Sequence, residues 1–178
     1  MARTNSKDRQ KPSAKSLIFR RGAAYLLDIV ILFTVLAPLG FFIQWLVSMD
    51  IAETGPEIAR TLLWNFSIPA WLYFILSDSS SRGATWGKRF FKLHVVRNDE
   101  QRVGFLRAVW RTAVKLLPWE MVHIFGFALS SDLTQLSSVQ NIGLITANGL
   151  IILYVFLFIA TRGRRSVHDF AAQTKVVF

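Results

Sequence analysis

The sequence predicts an all-α membrane protein with four transmembrane helices, both termini on the cytoplasmic side, and a small cytoplasmic strand pair. Three observations predict it. Of 178 residues, 52% are hydrophobic and only 18% charged, with a mean hydropathy of +0.37; a typical soluble domain carries about 25% charged residues. Four segments approach the ~20 apolar residues that a bilayer-crossing helix needs. The net charge of +10 is unevenly spread: 19 of 21 Lys and Arg fall in the first, third and fifth connections around those segments. Basic residues kept on the cytoplasmic side produce that alternation. The composition excludes a disordered chain, and the absence of cysteine excludes disulfides, thiolate nucleophiles and Cys-ligated metals.

Residues 1–15 read as a basic cytoplasmic tail, and 16–178 as one membrane domain. The first span covers about 22–47, interrupted by Asp28, Pro38 and Gln44. It is too long for a removable signal core and reads as an anchor that stays. The second covers about 58–77, with Pro69 inside. The third, 112–130, is the weakest, because it carries Lys115, Glu120 and His123. Charge decides it: without this crossing, Arg162, Arg164 and Arg165 would lie outside. The fourth, 142–160, has no charge at all. Its small residues Gly143, Ala147 and Gly149 suit close helix contact, and Asn148 suits a hydrogen bond across helices.

The cytoplasmic loop 78–111 is too long to be structureless. Thr85-Trp86-Gly87-Lys88-Arg89-Phe90 mixes aromatics and cations in a way that suits the headgroup zone. Lys88, Arg89, Arg111 and His168 are therefore candidates for gating or for lipid headgroups. Residues 93–97 have the β-branched look of a strand, and from Phe105 apolar positions recur at helical spacing, giving an amphipathic interfacial helix. The chain closes on another strand-like run, 173–178. A lone strand leaves backbone groups unpaired, so the two runs are expected to pair.

The candidate site residues are the charges within or beside the spans: Arg21, Asp28, Lys115, Glu120, His123 and Asp169. Asp28 lies about 9 Å inside the first span. An intramembrane carboxylate is costly and faces a partner or exchanges protons. One reading makes it a cation- or proton-binding group; the plainer reading makes it one half of a salt bridge, with Lys115 as the preferred partner. Arg21 is about 10 Å away along the axis, and meets Asp169 or lipid phosphate instead. Lys115, Trp119 and His123 share one helix stripe, a wall for a proton or ion path, with Pro118 kinking the helix between them. Glu120 and His123 have the Glu-x-x-His spacing of di-metal bundles, but a single copy does not make a metal site. His168-Asp169 reads either as a gating pair against Arg21 or as a cap that fastens the C-terminal segment. No catalytic motif, nucleotide fingerprint or cofactor signature is present, and the segregated charge argues for lipid contact over nucleic acid.

Three pieces carry a family resemblance. Arg21-x-x-Ala24-x-x-x-Asp28, then Thr85-x-Gly87-Lys88-Arg89 followed by Leu93-x-Val95-Val96, then Val167-His168-Asp169 followed by Ala171-Ala172-Gln173-Thr174-Lys175 occur in order. Together they resemble the RDD family of small integral membrane proteins. The family's one Arg and two Asp map to Arg21, Asp28 and either Asp169 or Asp78. Phe91-Lys92 stands where the family usually has a Gly. The resemblance implies an inner-membrane, multi-pass protein, not an enzyme, with a proposed role in transport such as monovalent cation/proton exchange. A role as an accessory or scaffold subunit is the other reading. Four short helices are few for an alternating-access path, so a transporter implies a homo-oligomer; the absence of an inverted repeat favours the scaffold, which packs against a larger membrane complex.

Overall fold

The computed structural model describes residues 14–46, 52–129 and 135–178. The basic tail up to residue 13, the last residues of the first predicted span around Val47, and Asp132 lie outside them.

Among the described residues, four helical rods carry most of the chain. The first, α1 (Ala14–Leu46), runs unbroken for 33 residues, about 50 Å. It starts eight residues before the predicted span, so Arg20 and Arg21 belong to the helix itself. The second rod is built of α2 (Gly55–Leu62), a π-helical turn (Leu63–Ser67) and α3 (Ile68–Ser79). Thr54 and Glu57 form a capping box at its start. The wider turn ends just before Pro69, whose ring would otherwise press on the carbonyl four residues back. After α4 (Trp86–Phe90) and β1 (His94–Arg97), the third rod is α5 (Phe105–His123), continued by a π-helical segment, Ile124–Ala128. The expected interfacial helix and third span are thus one continuous rod. The fourth is α6 (Ser138–Ala160), opened by a Ser137–Gln140 capping box. Then α7 (Val167–Ala171) leads to β2 (Thr174–Val177).

Among the described residues, two helices are long and apolar enough to cross a membrane: Ser16–Leu46 and Ser138–Ala160. Only 17% and 11% of their most apolar stretches are buried. Core helices of a soluble protein would be mostly covered, so these apolar faces need a non-aqueous surrounding. The central rod is α5, which touches α3, α6 and α7, while α1 packs on α4.

β1 and β2 pair antiparallel, with His94 opposite Val177 and Arg97 opposite Thr174, as the sequence predicts. Leu93, Val95, Val103 and Val176 form a core with Ala24 of α1 and Ala108 of α5. A second core joins Leu32, Ala70, Phe74 and Leu116 among the rods. The two ends of the described chain meet beside the sheet, where the Arg20 guanidinium stacks over the Phe178 ring.

Some expectations are corrected. Lys92 takes the left-handed φ of +57° just before β1. The tight α4–β1 reversal needs that conformation, which is why a glycine suits the place and a lysine strains it. In α6, Gly143 lies tight against the Phe125 ring, but Gly149 faces open space and is no packing contact. Asn148 turns back to the Leu144 carbonyl of its own helix, not across the bundle.

Candidate functional site

The first cluster is built around Arg111. It projects from the second turn of α5, 1% exposed, beside Ala108, whose small side chain lets neighbouring segments approach. Its guanidinium binds two carboxylates at once: Asp78 from the end of α3, and Asp169 of α7 at 2.6 Å. Its Nε donates to Thr174 Oγ1 of β2 at 3.2 Å. Asp78 also takes the Lys88 ammonium at 2.5 Å. Asp169 takes Arg21 at 2.6 Å, and Arg21 donates further to the carbonyls of Gly163 and Arg164. Three cations and two carboxylates thus tie α1, α3, α4, α5 and α7 into one knot. The planar forks of Arg111 and Arg21 suit such bridging.

Burial alone would raise the Asp169 carboxyl; the charges of Arg111 and Arg21 more than offset it and hold it well below the usual range. Burial pushes the Lys88 ammonium down, against the attraction of Asp78. Burial also pushes the His168 imidazole well below its ordinary value. His168 bonds to Ser166 Oγ at 2.8 Å, and Asp169 caps α7 through the Ser166 N–H and hydroxyl. Asp169 therefore serves both as cap and as the partner of Arg21. Of the headgroup candidates, Lys88 is taken by Asp78, while Arg89 donates to the Ala84 carbonyl and stacks over Trp86.

Asp28 has other partners than the expected Lys115. It accepts hydrogen bonds from Tyr73 Oη at 2.6 Å, Thr85 Oγ1 at 2.6 Å and the Gly87 N–H at 2.8 Å. Thr85 is also the N-cap of α4. A Cβ on Gly87 would fall 2.1 Å from the Ala24 carbonyl oxygen, so only glycine lets α4 lie this close to α1. Asp28 fastens the segment that opens α4 to the first rod. Lys115 makes no ion pair with it; its ammonium lies 3.2 Å from the centre of the Phe74 ring and 4.9 Å from that of Tyr25. The aromatic faces capture the ammonium, while three nearer donors satisfy the acid.

The second cluster lies further along the rods. Glu120 accepts from Trp71 Nε1 and from Ser67 Oγ, each at 3.0 Å. Ser67 Oγ lies 3.2 Å from His123 Nδ1, which is 3.5 Å from Glu120. The Trp119 ring meets the His123 ring edge-on. Ser67 ends one π-helical turn and His123 precedes the other. Among the described residues, no three His, Asp or Glu gather as a metal site.

Between α1, α5 and α6 lies a cavity of about 360 Å³. Tyr25, Ile151, Val155 and Phe158 supply apolar walls, and Lys115 lies in its lining beside Asp28. Sequence reasoning named most charges of the site but missed their neutral partners, Tyr73, Thr85, Ser67, Trp71 and Thr174. The Thr85-x-Gly87 spacing, an N-cap with room for a carboxylate beside it, was the usable signal.

A family model described as the RDD family matches residues 15–173. The chain belongs to the RDD family. No curated protein and no solved structure matches it. With the apolar α1 and α6, membership makes this RDD protein a membrane protein. The knot draws on all three pieces that carry the resemblance, through Arg21, Lys88 and Asp169, and Asp28 also joins the first to the central one through Gly87.

Proposed function

We propose that this RDD protein crosses the inner membrane four times, with both termini cytoplasmic, and works as a small non-enzymatic carrier assembled as a homo-oligomer. The alternating charge of the connections supports the topology. The meeting of α1, α4, the sheet and α7 at one end of the rods supports a common side for the two ends. The single observation that carries the carrier reading is the cavity between α1, α5 and α6, which reaches from apolar walls to charged groups inside the bundle.

Coupling to protons is assigned to Glu120, with His123 beside it. Asp28 accepts three hydrogen bonds, two of them from the segment that it fastens to α1, so its place is that of an anchor. Glu120 has no Lys or Arg partner among the described residues; neutral donors and an imidazole surround it. Such a carboxylate can give up and regain a proton without breaking an ion pair.

The test is flux. In proteoliposomes with a proton gradient, the wild type is expected to move protons when a transported solute is added, with monovalent cations and amphiphilic anions tried in turn. Glu120→Gln is expected to remove the coupling. The saturated knot also favours a second reading, a rigid accessory subunit. Absence of flux with every solute, together with a larger complex in mild detergent, would establish that reading instead.

A further inference from the structure

We propose that the cavity takes a single-chain amphiphilic anion, a long-chain carboxylate, with its head at Lys115 and its tail leaving between α1 and α6. This rests on the carrier reading and names its solute class.

The charge of the lining points to an anion. Arg21, Lys88, Arg111 and Lys115 face Asp28 as the one carboxylate of the lining. Three of those cations are committed to Asp78 and Asp169. Asp28 already accepts three hydrogen bonds. Among the described residues, Lys115 has aromatic faces on its ammonium and no carboxylate partner. A cation surrounded by apolar groups attracts a counter-charge, because the low dielectric strengthens the pairing. A second cation at the same place would be repelled by the Lys115 ammonium, which has no carboxylate of its own among the described residues.

The walls point to a tail. Ile151 and Val155 of α6 and Tyr25 of α1 line the cavity and are themselves exposed. They lie on the two helices whose apolar surfaces are least covered, so the mouth is apolar and faces the surrounding of those helices. A small inorganic anion gains nothing from such walls. At about 360 Å³ the space is near the lower end for ligand sites. It suits one head and the near part of one chain, with the remainder lying in the bilayer.

Binding is measured in nanodiscs of zwitterionic lipid, with oleate as the probe. Oleate is expected to bind saturably, and at least tenfold more weakly to Lys115→Gln. Ile151→Trp narrows the mouth from an exposed position and keeps the charge; it too is expected to weaken oleate binding. Oleyl alcohol, with the tail but no charge, and acetate, with the charge but no tail, are each expected to bind at least tenfold more weakly than oleate. Equal affinity for either control overturns the proposal, as does oleate binding that neither variant changes. Complete displacement of oleate by phosphatidylglycerol in the disc overturns the single-chain assignment in favour of a lipid headgroup. The outcome separates from the flux test. Oleate binding without flux leaves the solute class intact and removes the carrier, while flux of a cation without oleate binding does the reverse.

Discussion

The two polar clusters of this molecule solve the same problem in opposite ways. At one end of the rods, Arg111, Asp78, Asp169, Arg21 and Lys88 bury five charges and pair every one. Further along, Ser67, Trp71, Glu120 and His123 hold one half-buried acid among neutral donors and an imidazole. The first cluster joins residues up to 148 positions apart and has no spare capacity. Its charges hold segments together. The second joins two neighbouring rods at their π-helical turns, and its acid holds nothing that depends on its charge. A fully paired network is a fastener; an acid held by neutral donors can change charge without breaking a Lys or Arg ion pair.

The largest expected effect breaks the fastener. Arg111→Ala leaves two buried carboxylates short of a partner, which costs about 3–5 kcal/mol; thermal unfolding in detergent is expected to show a large drop in midpoint or no folded protein. Arg111→Lys is expected to fall between, since an ammonium lacks the fork that spans two acids.

Acid is the gentler way to loosen the same cluster. The folded His168 titrates below its unfolded value of about 6.5, so the fold is favoured while it is neutral, and stability declines as pH drops below about 6.5. The folded Asp169 titrates below its unfolded value of about 3.9, so its contribution is full above that and is lost as pH falls further. Each group changes the slope by at most about 1.4 kcal/mol per pH unit. His168→Gln is expected to remove the first decline and leave the second, read as unfolding midpoints between pH 7 and 3.

The smallest effect on stability sharpens the contrast. Glu120→Gln keeps a carbonyl oxygen for Trp71 Nε1 and turns its amide N–H to the Ser67 hydroxyl oxygen, so it is expected to change stability by about 1 kcal/mol or less while abolishing the proposed proton coupling. A loss as large as that of Arg111→Ala would make the second cluster a fastener too.

Much of this was legible in the chain because it depends on local composition. The apolar runs of α1 and α6, the segregation of Lys and Arg, and the pairing of the two strand-like ends follow from hydropathy and unpaired backbone groups. So did the meeting of Arg21 with Asp169, one of two partners left open for it. The expected Asp28–Lys115 pair failed because helix depth fixes only how far along the axis a side chain lies, not what stands between. Tyr73 of α3 satisfies the acid instead, together with Thr85 and Gly87, which are carried there by a loop whose course the sequence does not record.

The sequence by itself determined the medium this protein lives in, since transfer of apolar surface and placement of charge are sums over residues, indifferent to the partner each one meets. Which acid holds which base, which lysine is left facing an aromatic ring, and that a cavity opens beside it were decided only when four rods and a folded loop came together. Those outcomes turn on differences of an ångström or two between segments far apart in the chain, and no pattern along the chain encodes such distances.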